Sequence, residues 1–279
     1  VYASFSSLAF SGAALDKMYN ELKNLKSFEL NQDKDILPLK NEIALKNIYY
    51  NYPNSSKSVL SNINIKIPAK TTIGLIGSTG AGKTTIVDII LGLLDIQKGT
   101  LEIDGTVISK QNIRSWQRSV GYVPQQIYLS DDTIEANIAF GVKPNDISNE
   151  RIYKVSKIAN LHEFIVNDLP KKYKTTIGER GVRLSGGQRQ RIGIARALYH
   201  NPDVLILDEA TNALDNQTEK AVMDAVNKLS NNVTIILIAH RLNTVKNCDI
   251  IYRIDKGNIV SQGTAKDLFD NRKILINNK

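Results

Sequence analysis

The residues with the clearest chemistry lie in one run, Gly77 to Thr84, with the sequence GSTGAGKT. It matches the pattern G-x-x-x-x-G-K-[ST] at every fixed position, and this pattern is typical of loops that bind nucleotide phosphates. Glycines let backbone N–H groups converge on phosphate oxygens, Lys83 reaches the β- and γ-phosphates, and the Thr84 hydroxyl ligates Mg²⁺. This phosphate loop therefore predicts a site for a nucleoside triphosphate.

A second phosphate-binding element is predicted at Leu184-Ser-Gly-Gly-Gln188, here named the signature turn, which opens a helix over Arg189–His200. Ser185 is a good N-cap residue, and the N–H groups at the start of a helix attract anions. A single domain with one phosphate loop has no obvious use for a second phosphate site. Two copies of the chain would have a use for it, because each copy could cover the nucleotide bound to the other. An ordinary capped helix is the alternative interpretation.

Two adjacent carboxylates follow a run of apolar residues in Val204-Leu-Ile-Leu-Asp208-Glu209. In an enzyme with a phosphate loop, an Asp at this place holds Mg²⁺ and its water shell. A neighbouring Glu can orient and deprotonate the attacking water. The pair predicts hydrolysis, with Asp208 for the metal and Glu209 as general base. Solvated acids at the end of a strand are the alternative.

These residues need a strand–loop–helix scaffold, and the surrounding sequence predicts one. Residues 71–76 indicate a buried strand before the phosphate loop, and residues 85–91 indicate a helix after it. The alternation of strands and helices along the rest of the chain indicates an α/β fold. Further strands are expected over residues 43–50, 59–67, 99–105, 120–123, 204–208 and 234–239, and helices over Ala3–Lys26, Ile134–Phe140, Asn149–Asn167 and Arg189–His200.

Composition describes an ordinary soluble globular protein of 279 residues, 42% hydrophobic and 23% charged. The formal net charge of +8 is scattered, which favours a solvated surface, or one facing anionic lipid, over a nucleic-acid site. The single cysteine, Cys248, excludes an internal disulfide and fits a packed side chain. No run reaches the roughly 20 apolar residues that cross a bilayer. Residues 1–15 carry no charge, and we expect them to be the end of a longer segment.

Together these motifs make the chain similar to the nucleotide-binding domain of ABC transporters over roughly residues 43–270. LSGGQ is the signature of that family and is absent from phosphate-loop proteins at large. The resemblance implies an α/β fold: a phosphate-loop (RecA-like) ATPase core with a parallel sheet, an antiparallel β subdomain and an inserted helical subdomain at about residues 130–200. It also implies a juxtamembrane helix and linker at residues 1–37, followed by the nucleotide-binding domain at residues 38–279.

The resemblance also implies a role for individual residues. Tyr52 is expected to stack on adenine, and Gln125 to touch Mg²⁺ and to sense a membrane domain. Asp215 belongs to a loop that crosses the dimer interface, and His240 contacts the γ-phosphate. The implied catalytic residues are Glu209, His240, Lys83 and Gln125, and the implied Mg²⁺ ligands are Thr84, Gln125 and Asp208. The implied ATP contacts are Tyr52, Gly77, Ser78, Thr79, Gly80, Ala81, Gly82, Lys83, Thr84, Thr85, Ser185, Gly186, Gly187, Gln188 and Asp215.

Two features resemble exporters in which a membrane domain precedes the nucleotide-binding domain, namely the segment Thr176–Gly181 and the uncharged residues 1–15. The resemblance implies an ATPase motor that dimerises head to tail with a second copy on ATP and drives export or flipping. Its other partner is the transmembrane domain of the same polypeptide, at the cytoplasmic face of the cell membrane, and nucleic acid is not a partner. Lipids, lipid-linked saccharides or peptides are the suggested cargo classes.

Three other functions stay open at this point. The ATPase subunit of an ABC importer shares every core motif, and only Thr176–Gly181 and the amino-terminal helix distinguish the two. A soluble ABC ATPase that acts on nucleic acid carries long coiled coils or two such domains, whereas the stretch from Lys83 to Ser185 has no sustained heptads. A non-hydrolysing regulatory module is disfavoured because Asp208, Glu209 and His240 are all present.

Overall fold

The computed structural model describes residues 2–24, 35–53, 58–178, 181–210, 213–227, 232–239 and 244–270. The chain divides into two units, residues 1–35 and residues 36–279. The first unit contains helix α1 (Tyr2–Asn24), which confirms the helix predicted at the amino terminus. No helix in the described ranges is both long and apolar enough to cross a membrane.

The second unit alternates strands and helices. Its strands are β1 (Glu42–Tyr50), β2 (Leu60–Pro68), β3 (Thr72–Ile76), β4 (Lys98–Ile103), β5 (Thr106–Val107), β6 (Val120–Val123), β7 (Val204–Asp208), β8 (Thr234–Ala239), β9 (Ile250–Asp255) and β10 (Asn258–Gly263). Its helices are α2 (Lys83–Ile90), α3 (Ile113–Gln117), α4 (Ile134–Ile138), α5 (Asn149–Ile158), α6 (His162–Asp168), α7 (Gly186–Tyr199), α8 (Asn216–Asn227) and α9 (Ala265–Asp270), with short 3₁₀ helices at Pro144–Asp146 and Lys172–Lys174.

The strands form two sheets in the described part of the chain. A four-stranded antiparallel sheet has the order β2-β1-β4-β5, and a six-stranded sheet has the order β10-β9-β3-β8-β7-β6. In the second sheet β9, β3, β8, β7 and β6 are parallel, and β10 pairs antiparallel with β9. The predicted α/β fold, with a parallel sheet and a separate antiparallel β subdomain, is confirmed.

The six-stranded sheet separates two hydrophobic cores, because alternate side chains of its strands point to opposite faces. On β7, Val204 and Ile206 join the core that contains α2 and the antiparallel sheet. Leu205 and Leu207 join the core that contains α4, α5 and α7. Helices α2 and α7, which follow the phosphate loop and the signature turn, therefore lie on opposite faces of the same sheet.

The helical region between β6 and β7 differs from the sequence prediction in one place. The single helix expected over Asn149–Asn167 is wrong, because the structure has two helices, α5 and α6. Asn160 lies between them with a left-handed φ of 51°, a conformation that ends helices and that Asn tolerates well. Arg191 of α7 donates a 2.6 Å hydrogen bond to the Asn160 carbonyl, which holds this break against α7.

A second arginine of α7 fixes the segment that follows β6. The Arg196 guanidinium donates to the Tyr128 carbonyl at 2.8 Å, and to the carbonyl and side-chain oxygen of Asn137 at 2.8 and 3.1 Å. Asn137 is fully buried in α4, and its amide group also bonds the Ser130 carbonyl at 3.0 Å. The chain that carries Gln125 toward α4 is therefore attached to the helix that begins at the signature turn.

Candidate active site

The phosphate loop lies between the end of β3 and the start of α2, as the sequence predicts. Gly82 has a φ of 107°, and a Cβ atom there would come within 2.7 Å of the Leu60 side chain, so this turn requires glycine. Lys83 is 5% exposed, and its ammonium group donates to the carbonyls of Gly77 and Ser78 at 3.0 and 2.9 Å. The lysine therefore lies across its own loop, where it can face the phosphates that the loop N–H groups bind.

The two predicted carboxylates lie at the carboxyl end of β7. Asp208 is 6% exposed, and Glu209 adopts a left-handed φ of 49°, which turns the chain sharply as it leaves the sheet. Such backbone conformations at non-glycine residues are concentrated at functional sites. Burial raises the pKa of Asp208, and the nearby charge of Glu209 raises it further. Burial lowers the pKa of Lys83, while Glu209 and Asp208 oppose that shift, so the three groups form one electrostatic cluster.

Gln125 joins this cluster from the next strand. Strand β6 is parallel to β7, with Val123 opposite Leu207, so the chain leaves both strands at the same edge of the sheet. There the Gln125 side-chain amide donates a 2.8 Å hydrogen bond to the Glu209 carboxylate. The structure therefore brings together Lys83, Gln125, Asp208 and Glu209 at the carboxyl edge of a parallel sheet, where ligands bind in α/β folds.

Tyr52 lies just beyond β1, beside the first turn of α2. Its hydroxyl is 3.2 Å from the Thr85 hydroxyl, and its ring packs edge-on against Tyr50 with centroids 5.1 Å apart. The Tyr52 side chain remains 40% exposed. An aromatic ring held from two sides and open to solvent, next to the phosphate loop, suits the base-stacking role that the sequence predicts.

The residues predicted to hold Mg²⁺ offer suitable atoms. Thr84 contributes an exposed hydroxyl, Gln125 an amide oxygen and Asp208 a carboxylate. Mg²⁺ prefers oxygen ligands and is usually held by one or two carboxylates together with phosphate oxygens and water. Within the described ranges, no group of three or more His, Cys, Asp or Glu side chains could hold a metal by itself. This donor set fits an ion that is bound together with a nucleotide.

The signature turn is built as a capped helix start, as predicted. The Ser185 hydroxyl accepts from the Gln188 N–H at 3.2 Å, and the Gln188 side chain accepts from the Ser185 N–H at 2.7 Å, which completes a capping box. A Cβ atom at Gly187 would lie 3.2 Å from both the Ala213 carbonyl and the Leu214 side chain. The turn therefore packs directly against the chain that leads to Asp215.

Asp215 caps the next helix, α8. Its carboxylate accepts from the N–H groups of Gln217 and Thr218 at 3.1 and 3.0 Å, and bonds to Thr218 lower its pKa. The signature turn and Asp215, both predicted to meet a second copy, are thus neighbours in one chain. His240 lies outside the described residues, and so does Glu179 of the exporter-like segment Thr176–Gly181. The predicted γ-phosphate contact of His240 therefore stays a prediction.

Comparison with known proteins identifies the family of this domain. A family model described as "ABC transporter" matches residues 60–212, which is more than half of the chain. The chain belongs to the ABC transporter family. It is the ATP-binding and ATP-hydrolysing domain of that family, and the predicted ATP site and ATPase activity agree with this membership.

Relatives within the ABC transporter family include proteins named for flipping and drug resistance. The chain is 44% identical to an ATP-dependent lipid A-core flippase of Saccharophagus degradans, over 85% of the chain and 40% of the relative. It is 45% identical to multidrug resistance protein 1 of Entamoeba histolytica, over 83% of the chain and 18% of the relative. A solved bacterial Atm1-family ABC exporter with ATP bound superposes with a TM-score of 0.84 at 32% identity, over 92% of the chain and 45% of that structure. The chain therefore spans less than half the length of these ABC transporter relatives.

Two polar contacts of this ABC transporter domain were not predicted. The Tyr122 hydroxyl lies 3.4 Å from Asp208, and the buried Gln190 side chain accepts from the Ala213 N–H at 3.1 Å. The contact of Tyr122 could have been found from the sequence, because this tyrosine lies on the strand that leads to Gln125 and could reach the same edge of the sheet. The signal for Gln190 is weaker, because a glutamine in an amphipathic helix is usually solvated.

Proposed function

We propose that two copies of this domain bind head to tail and share two ATP–Mg²⁺ sites, each made from the phosphate loop of one copy and the signature turn of the other. The observation that carries this proposal is the separation of the two elements within one chain. The phosphate loop gathers Lys83, Asp208 and Glu209, whereas the signature turn begins a helix on the opposite face of the sheet. Both elements can contact one nucleotide when they come from different chains.

Each residue of the proposed site has a defined task. The loop N–H groups and Lys83 bind the β- and γ-phosphates, and Tyr52 stacks on the base. Thr84, Gln125 and Asp208 would hold Mg²⁺, which neutralises phosphate charge when bound. Glu209 accepts the proton of the attacking water. The helix N-terminus of the second copy adds N–H groups on the other side of the triphosphate.

The contact between Gln125 and Glu209 connects the active site to the segment between β6 and α4. The 2.8 Å bond connects the proposed general base to a segment whose far end is bonded to Arg196 of α7. The Phe140 ring, 51% exposed, lies 4.9 Å from the Arg196 guanidinium, and Tyr128, whose carbonyl accepts from Arg196, is 66% exposed. Exposed aromatic residues and arginines are enriched at the surfaces that contact partners. We assign this surface to the membrane domain of the same polypeptide.

We propose export or flipping, rather than import, as the work done with ATP. The relatives are named as a flippase and a multidrug resistance protein, and the solved neighbour as an exporter. Hydrolysis then takes place at the cytoplasmic face, where ATP is available. In inside-out membrane vesicles that hold the full-length protein, added ATP should be hydrolysed. In sealed right-side-out vesicles it should not, and equal activity in both would contradict this orientation.

The shared site is tested with Glu209→Gln, which should bind ATP without hydrolysing it and so accumulate the dimer. Light scattering should report monomers without nucleotide and dimers with ATP–Mg²⁺. Adding Ser185→Arg should abolish the dimer, because the new side chain fills the space for phosphate. Adding Ser148→Arg, which alters the matched serine cap of α5, should leave the dimer intact. A Glu209→Gln protein that stays monomeric at high protein and ATP concentrations would contradict the shared site.

A further inference from the structure

Tyr122 is placed beside Asp208 by the register of two parallel strands. Strands β6 and β7 pair with Tyr122 opposite Ile206, so Tyr122 and Asp208 lie on the same face, two residues apart along the strand direction. The Tyr122 hydroxyl is 3.4 Å from Oδ2 of Asp208, to which it donates. Its ring packs with the core on the α2 side of the sheet. The phenol thus reaches from a packed position to the edge where the carboxylates lie.

The Asp208 carboxylate is contacted by few polar groups in the described part of the chain. Among the residues that the structure describes, the Tyr122 hydroxyl is the hydrogen-bond donor to the Asp208 side chain. Lys83 and Asp88 face it from α2, and Glu209 follows it in the chain, but the Lys83 ammonium is engaged with loop carbonyls. A carboxylate at the end of its strand can rotate about its terminal torsion, which has broad wells. Only a directional contact fixes which oxygen faces the phosphate loop.

We propose that Tyr122 is a positioning residue for Asp208, and that its hydroxyl holds Oδ2 so that Oδ1 is presented toward the Mg²⁺ that accompanies ATP. This inference rests on the proposed function, because it assumes that Asp208 serves the metal. Outer-shell hydrogen bonds of this kind orient ligating carboxylates, and their loss typically weakens metal binding by about 10–100-fold. Tyr122 touches neither nucleotide nor metal and acts through Asp208 alone.

The test measures metal affinity in a protein that does not hydrolyse ATP. In the Glu209→Gln background with saturating ATP, free Mn²⁺ is titrated by electron paramagnetic resonance, with Mn²⁺ as the probe for the Mg²⁺ site. Adding Tyr122→Phe keeps the packed ring and removes the hydroxyl, and should weaken Mn²⁺ binding about tenfold. ATP affinity measured without divalent cation should stay unchanged, because the phosphate loop and Tyr52 are intact.

Tyr252→Phe is the matched control. Tyr252 is 4% exposed in β9 of the same sheet, and its hydroxyl donates to the Lys66 carbonyl at 2.8 Å, so its loss disturbs the fold without touching Asp208. This variant should lower the melting temperature and leave Mn²⁺ affinity unchanged. In an Asp208→Asn background, Tyr122→Phe should have no further effect on Mn²⁺ binding, since the group that it positions is already altered.

Three outcomes are informative. Equal Mn²⁺ affinity for Tyr122→Phe and Tyr252→Phe would overturn the inference while leaving the proposed function intact. A tenfold loss with Tyr122→Phe that persists in the Asp208→Asn background would also overturn it, because the hydroxyl would then act elsewhere. If the Glu209→Gln protein itself shows no ATP-dependent Mn²⁺ binding, the proposed function fails first, and the inference fails with it.

Discussion

The phosphate loop and the signature turn, which we propose to bind one triphosphate between two copies, are built from different kinds of side chain. The phosphate loop is surrounded by reactive side chains, with Lys83 folded across it and Gln125 and Glu209 bonded beside it. The signature turn is closed on itself by the reciprocal bonds of Ser185 and Gln188, and its described contacts beyond the helix are with the backbone and aliphatic groups of the next loop. In the proposed site the phosphate loop holds the reacting groups, and the signature turn contributes the positive end of a helix.

This difference supports the proposal that the two elements meet across two copies of the chain. An active site needs its reacting groups fixed at short distances, which a single fold provides at the edge of its sheet. A capped helix start attracts phosphate without reacting with it. An element of this second kind suits contact between molecules, because in the proposed dimer it completes the site of the other copy. Changes at the phosphate loop should therefore remove ATP binding, whereas changes at the signature turn should remove dimerisation and turnover but leave ATP binding to the monomer intact.

Lys83→Ala should have the largest effect, because it removes the cation that faces the β- and γ-phosphates. We expect turnover to be nearly abolished and ATP binding to be strongly weakened, as measured by phosphate release and by calorimetry at saturating ATP–Mg²⁺. Lys157→Ala, at an exposed lysine near the end of α5, is the control and should leave both unchanged. Turnover of Lys83→Ala within a factor of about two of wild type would contradict the assignment of the phosphate loop.

Ser185→Arg, in the signature turn, should reduce hydrolysis without weakening ATP binding to the phosphate loop. Hydrolysis should fall at least about 100-fold, within the range for losing a preorganised donor at a reacting phosphate or carbonyl. The Kd of the monomer for ATP should stay the same, since the phosphate loop, Lys83 and Tyr52 are untouched. Ser148→Arg removes a comparable helix cap and should retain activity. A large loss of monomer affinity in Ser185→Arg would mean that the signature turn already contacts nucleotide in one chain.

Tyr52→Ala should weaken ATP binding while leaving the hydrolytic step largely intact. Stacking of a base on an aromatic ring contributes about 1–3 kcal/mol, which corresponds to an increase in Kd of roughly five- to hundredfold. The maximal rate should change little, because Glu209 and Lys83 stay in place. Tyr128→Ala, at another exposed tyrosine, serves as control in the isolated domain. If Tyr50→Ala weakens binding and Tyr52→Ala does not, the wrong tyrosine has been assigned to adenine.

Sequence alone predicted the parts of this molecule that depend on local pattern. The strand before the phosphate loop, the apolar run of β7 and the Ser185 cap follow from hydrophobic periodicity and capping preference. The break at Asn160 was missed, because an asparagine inside an amphipathic pattern gives no local sign that an arginine of α7 will bond its carbonyl. The contacts of Glu209 with Gln125 and of Asp208 with Tyr122 depend on the pairing of β6 with β7, which the sequence does not state.

The smallest predicted effect is a change in the labelling rate of Cys248. This residue packs against β3 on the face of the sheet opposite α2. Its sulfur is 3.3 Å from the position a Cβ atom would take at Gly74, and the residue is 6% exposed. Burial raises the pKa of this thiol to about 12, and the charge of Asp249 adds to the shift. Because the thiolate is the form that reacts, the folded protein should resist alkylation at pH 8, whereas the unfolded chain, with a thiol pKa of about 8.5, should react readily.

The rate at which iodoacetamide labels Cys248 therefore reports how often the sheet opens. Comparing this rate with and without ATP also distinguishes variants of the phosphate loop from variants of the signature turn. ATP that binds the folded protein at about ten times its Kd should slow labelling about tenfold, by mass action on the folded state. Ser185→Arg should show the same protection in the monomer, whereas Lys83→Ala should show almost none at that ATP concentration. Mass spectrometry of timed samples gives the rates, with guanidinium-unfolded protein as the fully reactive reference. Rapid labelling that ATP does not slow would mean that the chain around Cys248 opens locally without unfolding of the nucleotide site.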